Sequence, residues 1–305
     1  MDIVKIIFPI FSVIGLGYLL RHIGIIRDEG VHMLNQFVYY VSLPAIIFIS
    51  FFRIDWHNDE IVTVLSFNIL LFLLFSTVLL ILIWLLPIER EYKAALFAAS
   101  LVGNTIYMGF PISKAALGAE RFTEFVAAAT PHLVVGIALA LMAVEFFVVR
   151  SHKVSAYLKD LFLNPLIISL GGGIILSILA IGPEARAYLI PPIEMLAGTA
   201  SPLALTTLGA FLYGKFAKEH LGLSLWVVGF KLVIFPFFIL IVWKNFFPAV
   251  KGMEASFLAA AMPTAVTVFV ISERYNIAPK FIAHIILLST VLSVATIPIA
   301  LWFIK

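Results

Sequence analysis

Six stretches of this chain, Gly30–Phe52, Ile61–Leu86, Leu161–Ile181, Met195–Gly214, Ala255–Ser272 and Phe281–Ile304, contain no Asp, Glu, Lys or Arg. A helix needs about 20 mostly apolar residues to cross the hydrocarbon core of a bilayer, and each of these runs is long enough. Four further segments are equally apolar with one or two charges each: Ile3–Leu20, Ala94–Leu117, Phe125–Val149 and Leu221–Phe246. The pattern predicts an all-α integral membrane protein of about ten transmembrane helices. A β-barrel is excluded, because its strands would alternate in polarity over about ten residues. The connections are short and polar, and the longest, Arg150–Asp160, has 11 residues. That leaves no room for a separate soluble domain.

Composition narrows the function classes. The 305 residues are 63% hydrophobic and 12% charged, whereas a soluble domain carries about 25% charged residues. The net charge of +3 is small, and its basic residues lie between the apolar runs, which argues against a nucleic-acid partner. No cysteine is present, so disulfides, thiol catalysis and cysteine metal sites are excluded. The sequence holds no His-Glu-x-x-His, no Gly-rich phosphate loop ending in Lys-Ser/Thr and no Gly-x-Ser-x-Gly. No enzymatic activity, cofactor or metal is expected. Gly171-Gly172-Gly173 reads as close helix packing. The first run, beside Asp2 and Lys5, lacks a basic leader and a small-residue cleavage site, and reads as a retained helix.

Lys and Arg in short loops set orientation. One side collects 11 of them, including Arg150, Lys153 and Lys159; the other collects 8, including Arg53, Lys114 and Lys251. The bias predicts a multi-pass protein of the cell (inner) membrane with both termini outside and the Arg150–Asp160 loop in the cytoplasm.

Ten spans divide into five and five at that loop, and an odd number per half forces the halves into opposite orientations. Leu43-Pro44 in the second span is matched by Ser201-Pro202 in the seventh. Gly103 and Pro263 follow those prolines by 59 and 61 residues. This is the pattern of inverted-repeat transporters. The expected organisation is a first repeat over 1–149, a short basic cytoplasmic loop over 150–163 and a second, inverted repeat over 164–305.

The fourth span is the most irregular, reading Gly103-Asn104-Thr105-Ile106-Tyr107-Met108-Gly109-Phe110-Pro111. Proline removes a backbone donor and clashes with the preceding turn, and the two glycines weaken the helix further. Freed backbone groups in hydrocarbon cost several kcal/mol unless protein or water satisfies them, so this break should face a cavity. Asn104 adds an amide that both donates and accepts. The ninth span offers a second break at Met262-Pro263-Thr264, after the small residues Ala259, Ala260 and Ala261. Two interrupted helices crossing at mid-membrane would bring half-helix N-termini together, and their positive ends favour an anion. The lone prolines Pro9, Pro236 and Pro298 read as kinks with a packing role.

The stretch Leu34-Asn35-Gln36-Phe37-Val38-Tyr39-Tyr40-Val41-Ser42-Leu43-Pro44-Ala45 resembles the second-helix signature of the auxin efflux carrier family. Gly103-Asn104 with Gly109-Phe110-Pro111 is similar to its fourth-helix motif, and Ala261-Met262-Pro263 with Glu273-Arg274-Tyr275 to its ninth. The resemblance runs along the whole chain, with the short central loop of bacterial members. It implies two inverted five-helix repeats with crossing helices four and nine, as in bile-acid symporters and sodium/proton antiporters. Helices 1, 2, 6 and 7 would form a scaffold that makes a homodimer, and helices 3–5 and 8–10 a mobile transport unit. Family members move organic anions: auxins in plants, and malate, malonate or similar carboxylates in bacteria. Asn104 and Pro111 match the fourth-helix motif and Pro263 the ninth. Thr264 stands where plant members often carry asparagine. Asn68 stands nearest the acidic residue of the plant third helix and cannot ionise.

Ionisable groups within spans are functional candidates by default. Lys231, ten residues into the eighth span, could neutralise a carboxylate or snorkel. His132, beside Pro131 in the fifth, could carry a proton or make a structural hydrogen bond. Asn35 and Gln36 could link helices or face the cavity. The expected function is a secondary active transporter of a small organic anion, working by alternating access with a proton or sodium as coupling ion. The substrate would be held by Gly103, Asn104, Thr105, Gly109, Pro111, Pro263 and Thr264, with Lys231, Asn35 and Gln36 as further candidates. His132 and Asn68 are the candidates for proton coupling. A cation/proton antiporter or a channel on the same fold is the alternative.

Overall fold

A computed structural model of the chain describes residues 3–56, 58–149, 163–179, 182–215 and 221–304. These residues are helical throughout, apart from turns and one isolated antiparallel bridge. The expected basic loop over 150–163, with both of its lysines, lies outside the described residues except for its last position.

Among the described residues, seven helices are long and apolar enough to cross a membrane. In chain order the elements are α1 (Ile3–His22), α2 (Asp28–Phe52), α3 (Asp59–Leu85), α4 (Arg90–Leu101), α5 (Phe110–Val144), α6 (Pro165–Ile178), α7 (Pro183–Leu212), α8 (Leu221–Phe246), α9 (Met253–Ala260), α10 (Val266–Tyr275) and α11 (Pro279–Phe303). Three of the ten expected spans are therefore not single long helices. The sixth coincides with the 14-residue α6. The fourth divides between α4 and the start of α5, and the ninth between α9 and α10. Helix α5 is kinked at Gly118, whose φ of 84° suits a residue without a Cβ. The stretch that qualifies as a span in α5 begins only at Arg121.

Local sequence explains where the helices widen. Proline crowds the carbonyl four residues before it and offers no N–H to it. Wide π-type turns occupy Val38–Ser42, Thr105–Gly109 and Phe230–Ile234, each ending two residues before a proline: Pro44, Pro111 and Pro236. The carbonyls that these prolines would strand, at Tyr40, Tyr107 and Leu232, all fall inside the widened turns. Such turns recur at functional sites. A fourth widened turn, Glu145–Val149, has no proline after it to account for it.

Two sets of helices pack closely. Helix α1 lies along the second half of α7, where the ideal Cβ of a residue at Gly209 would fall on the Ile14 carbonyl. Helix α2 packs on α6 and α7. In the other set, α5 contacts α3, α4 and α9, and α8 contacts α9 and α11. The Arg121 guanidinium fastens α5 to α9 by donating to Glu254 at 2.9 Å and to Glu124 on its own helix. Many large apolar side chains on α1, α3 and α11 are exposed, among them Phe8, Leu74, Trp84 and Trp302. That is the surface expected of helices solvated by lipid rather than water.

Candidate functional site at the helix crossing

Helix α4 ends at Leu101 and the chain runs on extended from Val102, whereas α9 ends at Ala260 and passes through a turn at 261–262 before an extended stretch that includes Ala265. These extended pieces pair with each other. Gly103 and Thr264 sit opposite in the antiparallel bridge. On either side of them, the Asn104 N–H donates to the Pro263 carbonyl at 2.7 Å and the Ala265 N–H to the Val102 carbonyl at 3.0 Å. Each break thus satisfies backbone groups that the other frees. This is the condition for interrupting a helix away from water.

Side chains complete the joint. A helix end leaves its last carbonyls without partners, and the Thr264 hydroxyl donates to the Ala99 carbonyl at 2.9 Å. The Thr264 N–H donates to Ser289 Oγ of α11 at 3.2 Å. Lys231, fully buried in the widened turn of α8, donates from Nζ to the Ala260 carbonyl at 3.4 Å and lies 4.8 Å from the centre of the Phe235 ring. A lysine is well suited to the carbonyl end of a helix, which carries negative potential. Gly103 makes room for it. A Cβ there would approach Lys231 Nζ to 3.0 Å and His132 Nδ1 to 3.6 Å. The His132 ring rests between Phe72 and Phe235.

Buried polar atoms without a protein partner gather around this joint. Among the described residues they include Ser100 Oγ, Asn104 Nδ2, His132 Nδ1 and Thr290 Oγ1. Asn104 is 2% exposed. Its backbone N–H is used by Pro263 and its carbonyl accepts from Met108 and Gly109, but its amide donors are uncommitted. Buried polar groups are nearly always paired, so these unpaired atoms stand out.

The sequence-derived candidates separate into groups. Gly103, Asn104, Pro263, Thr264, Lys231 and His132 meet at the joint. Thr105 is buried in the turn that follows, and Gly109 is packed against Phe125 and Met262. Pro111 lines a cavity of about 590 Å³ between α2, α7 and the start of α5. Asn68 joins α3 to α9, donating at 2.7 Å to Ser256 Oγ and to the Val64 carbonyl. Asn35 is half-buried, and Gln36 is exposed and bonded to His32 one turn away on α2. Sequence reasoning missed Ser289 and Thr290 of α11, since hydroxyls in an apolar helix carry no spacing signal. It also gave Pro236 only a packing role, although this proline accounts for the widened turn bearing Lys231.

The family described as membrane transport protein matches residues 2–302. An uncharacterized transporter of Methanocaldococcus jannaschii is 26% identical over 99% of this chain and 97% of its own. A Rhizobium meliloti protein named "Putative malonate transporter" is 27% identical over 100% of this chain and 96% of its own. An uncharacterized transporter of Methanothermobacter thermautotrophicus is 22% identical over 96% and 95%. With the matched region covering nearly every residue, the chain belongs to the membrane transport protein family, that of the auxin efflux carriers.

Proposed function

We propose that this protein is a secondary transporter that moves a small organic anion, a mono- or dicarboxylate, across the cell membrane by alternating access. The observation that carries the reading is the uncommitted amide of Asn104, buried at the antiparallel joint of two interrupted helices. The helical turns that begin at Thr105 and Val266 follow the joint directly, and helix N-termini favour negative charge. A carboxylate there would accept from Asn104 Nδ2. Lys231 would offset the carbonyl ends of α4 and α9, leaving the N-terminal potential unopposed. The name of the Rhizobium relative supports a carboxylate substrate.

In this reading the chain has ten spans in two inverted five-helix repeats, 1–149 and 164–305, with both termini outside. Helices α1, α2, α6 and α7 form the scaffold and the homodimer contact, and the remaining helices form the moving unit. The inverted pairing of Val102–Asn104 with Pro263–Ala265 supports the repeat. His132, with an unpaired Nδ1 beside Gly103, is the candidate proton carrier, and Asn68 supports α9 from α3. A cation antiporter is disfavoured, because no Asp or Glu is among the described residues that make the joint.

The test is binding of malonate, succinate and butyrate to the purified protein by calorimetry, for wild type and Asn104→Ala. The variant should elute and melt as wild type does and lose at least tenfold in affinity. Unchanged affinity in a folded Asn104→Ala protein would refute the assignment.

A further inference from the structure

The 590 Å³ cavity falls in the size range of small-molecule sites, about 300–1,000 Å³. Its walls come from both helix sets: Ile46 and Ile49 of α2 with Arg53 just past its end, Glu194 of α7, and Phe110 and Lys114 at the start of α5. Apolar surface thus surrounds three charges. Two are positive and one is negative, and the negative one is already engaged, because Arg53 donates to Glu194. Lys114 is exposed in the cavity and has no ion-pair partner among the described residues. It stands one turn into α5. The cavity therefore offers one free cation and holds a second in reserve.

We propose that this cavity is the loading site for the transported anion, with Lys114 as the group that takes its carboxylate and the Arg53–Glu194 pair as the element that sets the charge class accepted. With Glu194 in place, the site presents a single net positive charge and receives one carboxylate. A ligand with two carboxylates gains a second partner only by drawing Arg53 away from Glu194. That pair is half-exposed, and pairs of this kind are weak enough for a ligand to displace. The site would therefore discriminate mildly between monoanions and dianions, and Glu194 is the residue that determines by how much. This inference rests on the organic-anion reading above, but it concerns residues distinct from the helix joint.

The test compares succinate with butyrate, which have the same carbon count and differ by one charge, binding at pH 8 to the full-length protein in detergent. Glu194→Gln should strengthen succinate binding by about threefold to fivefold, the scale of a half-exposed ion pair, and change butyrate binding by less than about twofold. Arg53→Gln should weaken succinate more than butyrate. Lys114→Gln should weaken both by about fivefold. Elution and melting of each variant check folding, and the opposite signs for Glu194→Gln and Arg53→Gln cannot arise from a shared structural defect. An unchanged succinate-to-butyrate ratio in Glu194→Gln, or unchanged binding in Lys114→Gln, overturns the proposal. If those two variants bind as wild type while Asn104→Ala loses binding, the cavity assignment fails and the joint stands. If Asn104→Ala binds as wild type while the cavity variants respond as stated, the joint fails and the cavity stands. No binding of any anion to wild type overturns both.

Discussion

Replacing Thr264 with valine separates the two roles that this residue combines. The side chains have nearly the same shape, so no cavity opens, and the change removes one donor. The Thr264 hydroxyl is 2.9 Å from the Ala99 carbonyl, which lies at the end of α4 where no residue of its own helix supplies a donor. Leaving a buried acceptor unpaired costs about 1–3 kcal/mol, while hydrogen bonds between membrane helices average about 0.6 and reach about 1.7 kcal/mol. The burial of Thr264, at 0% exposure, puts Thr264→Val near the upper part of that second range, about 1–2 kcal/mol. At roughly 2–4 °C per kcal/mol for a chain somewhat smaller than this one, the melting temperature should fall by a few degrees. Thr264→Ser keeps the donor and should lose much less. Anion affinity of the folded Val variant should stay within about twofold of wild type, because the hydroxyl proton is committed to Ala99. Thermal unfolding in detergent and calorimetric binding read the two quantities separately. A Val variant that melts as wild type does but loses anion binding would refute the reasoning and make the hydroxyl a ligand group.

Two further substitutions probe the same joint. A Cβ at Gly109 would meet Phe125 Cζ at 2.8 Å and Met262 Cγ at 3.3 Å. Gly109→Ala should therefore cost about 1–3 kcal/mol of overpacking, and Phe125→Leu in the same chain should restore part of the melting temperature. Lys231→Met keeps the buried stem and removes the donor to the Ala260 carbonyl. It should lower the melting temperature by less than Thr264→Val, because the lost bond is longer at 3.4 Å and the ammonium is no longer held out of water, and weaken anion binding at least tenfold, both measured as above.

The positions of the breaks were legible because they rest on residues whose backbone chemistry is unambiguous. Gly103 and Pro263 stand where a helix is weakened or cannot continue, and α4 and α9 stop two and three residues before them, whereas Pro111 lies in the first turn of α5 and widens the turn before it rather than ending a helix. The long apolar runs were equally readable, since length alone decides whether a helix can cross a bilayer. Seven of them are continuous helices, whereas the sixth run holds a helix of only 14 residues. What the sequence could not give was the partner of each group. Thr264 looks like a free hydroxyl until Ala99, 165 positions away, is placed against it. Asn68 is a polar residue in an apolar helix until Ser256 accounts for it. Arg53, Lys114 and Glu194 come from the end of α2, from α5 and from α7, and in sequence the two basic residues served only as markers of orientation. Gln36 stands in a family motif, yet it is exposed and bonded within its own helix. Motif membership fixes a position along the chain, while the side chain's direction depends on packing that only the fold supplies.

Transport of an organic anion through the joint of the interrupted helices can be measured as uptake of radiolabelled malonate and succinate into proteoliposomes carrying wild-type protein, Asn104→Ala protein or no protein. Wild type should show saturable uptake of at least one of these anions, competed by the unlabelled acid, and Asn104→Ala should stay near the protein-free level at equal reconstitution. Equal uptake by wild type and Asn104→Ala, or sodium–proton exchange by wild type with no organic-anion uptake, would contradict transport through the joint.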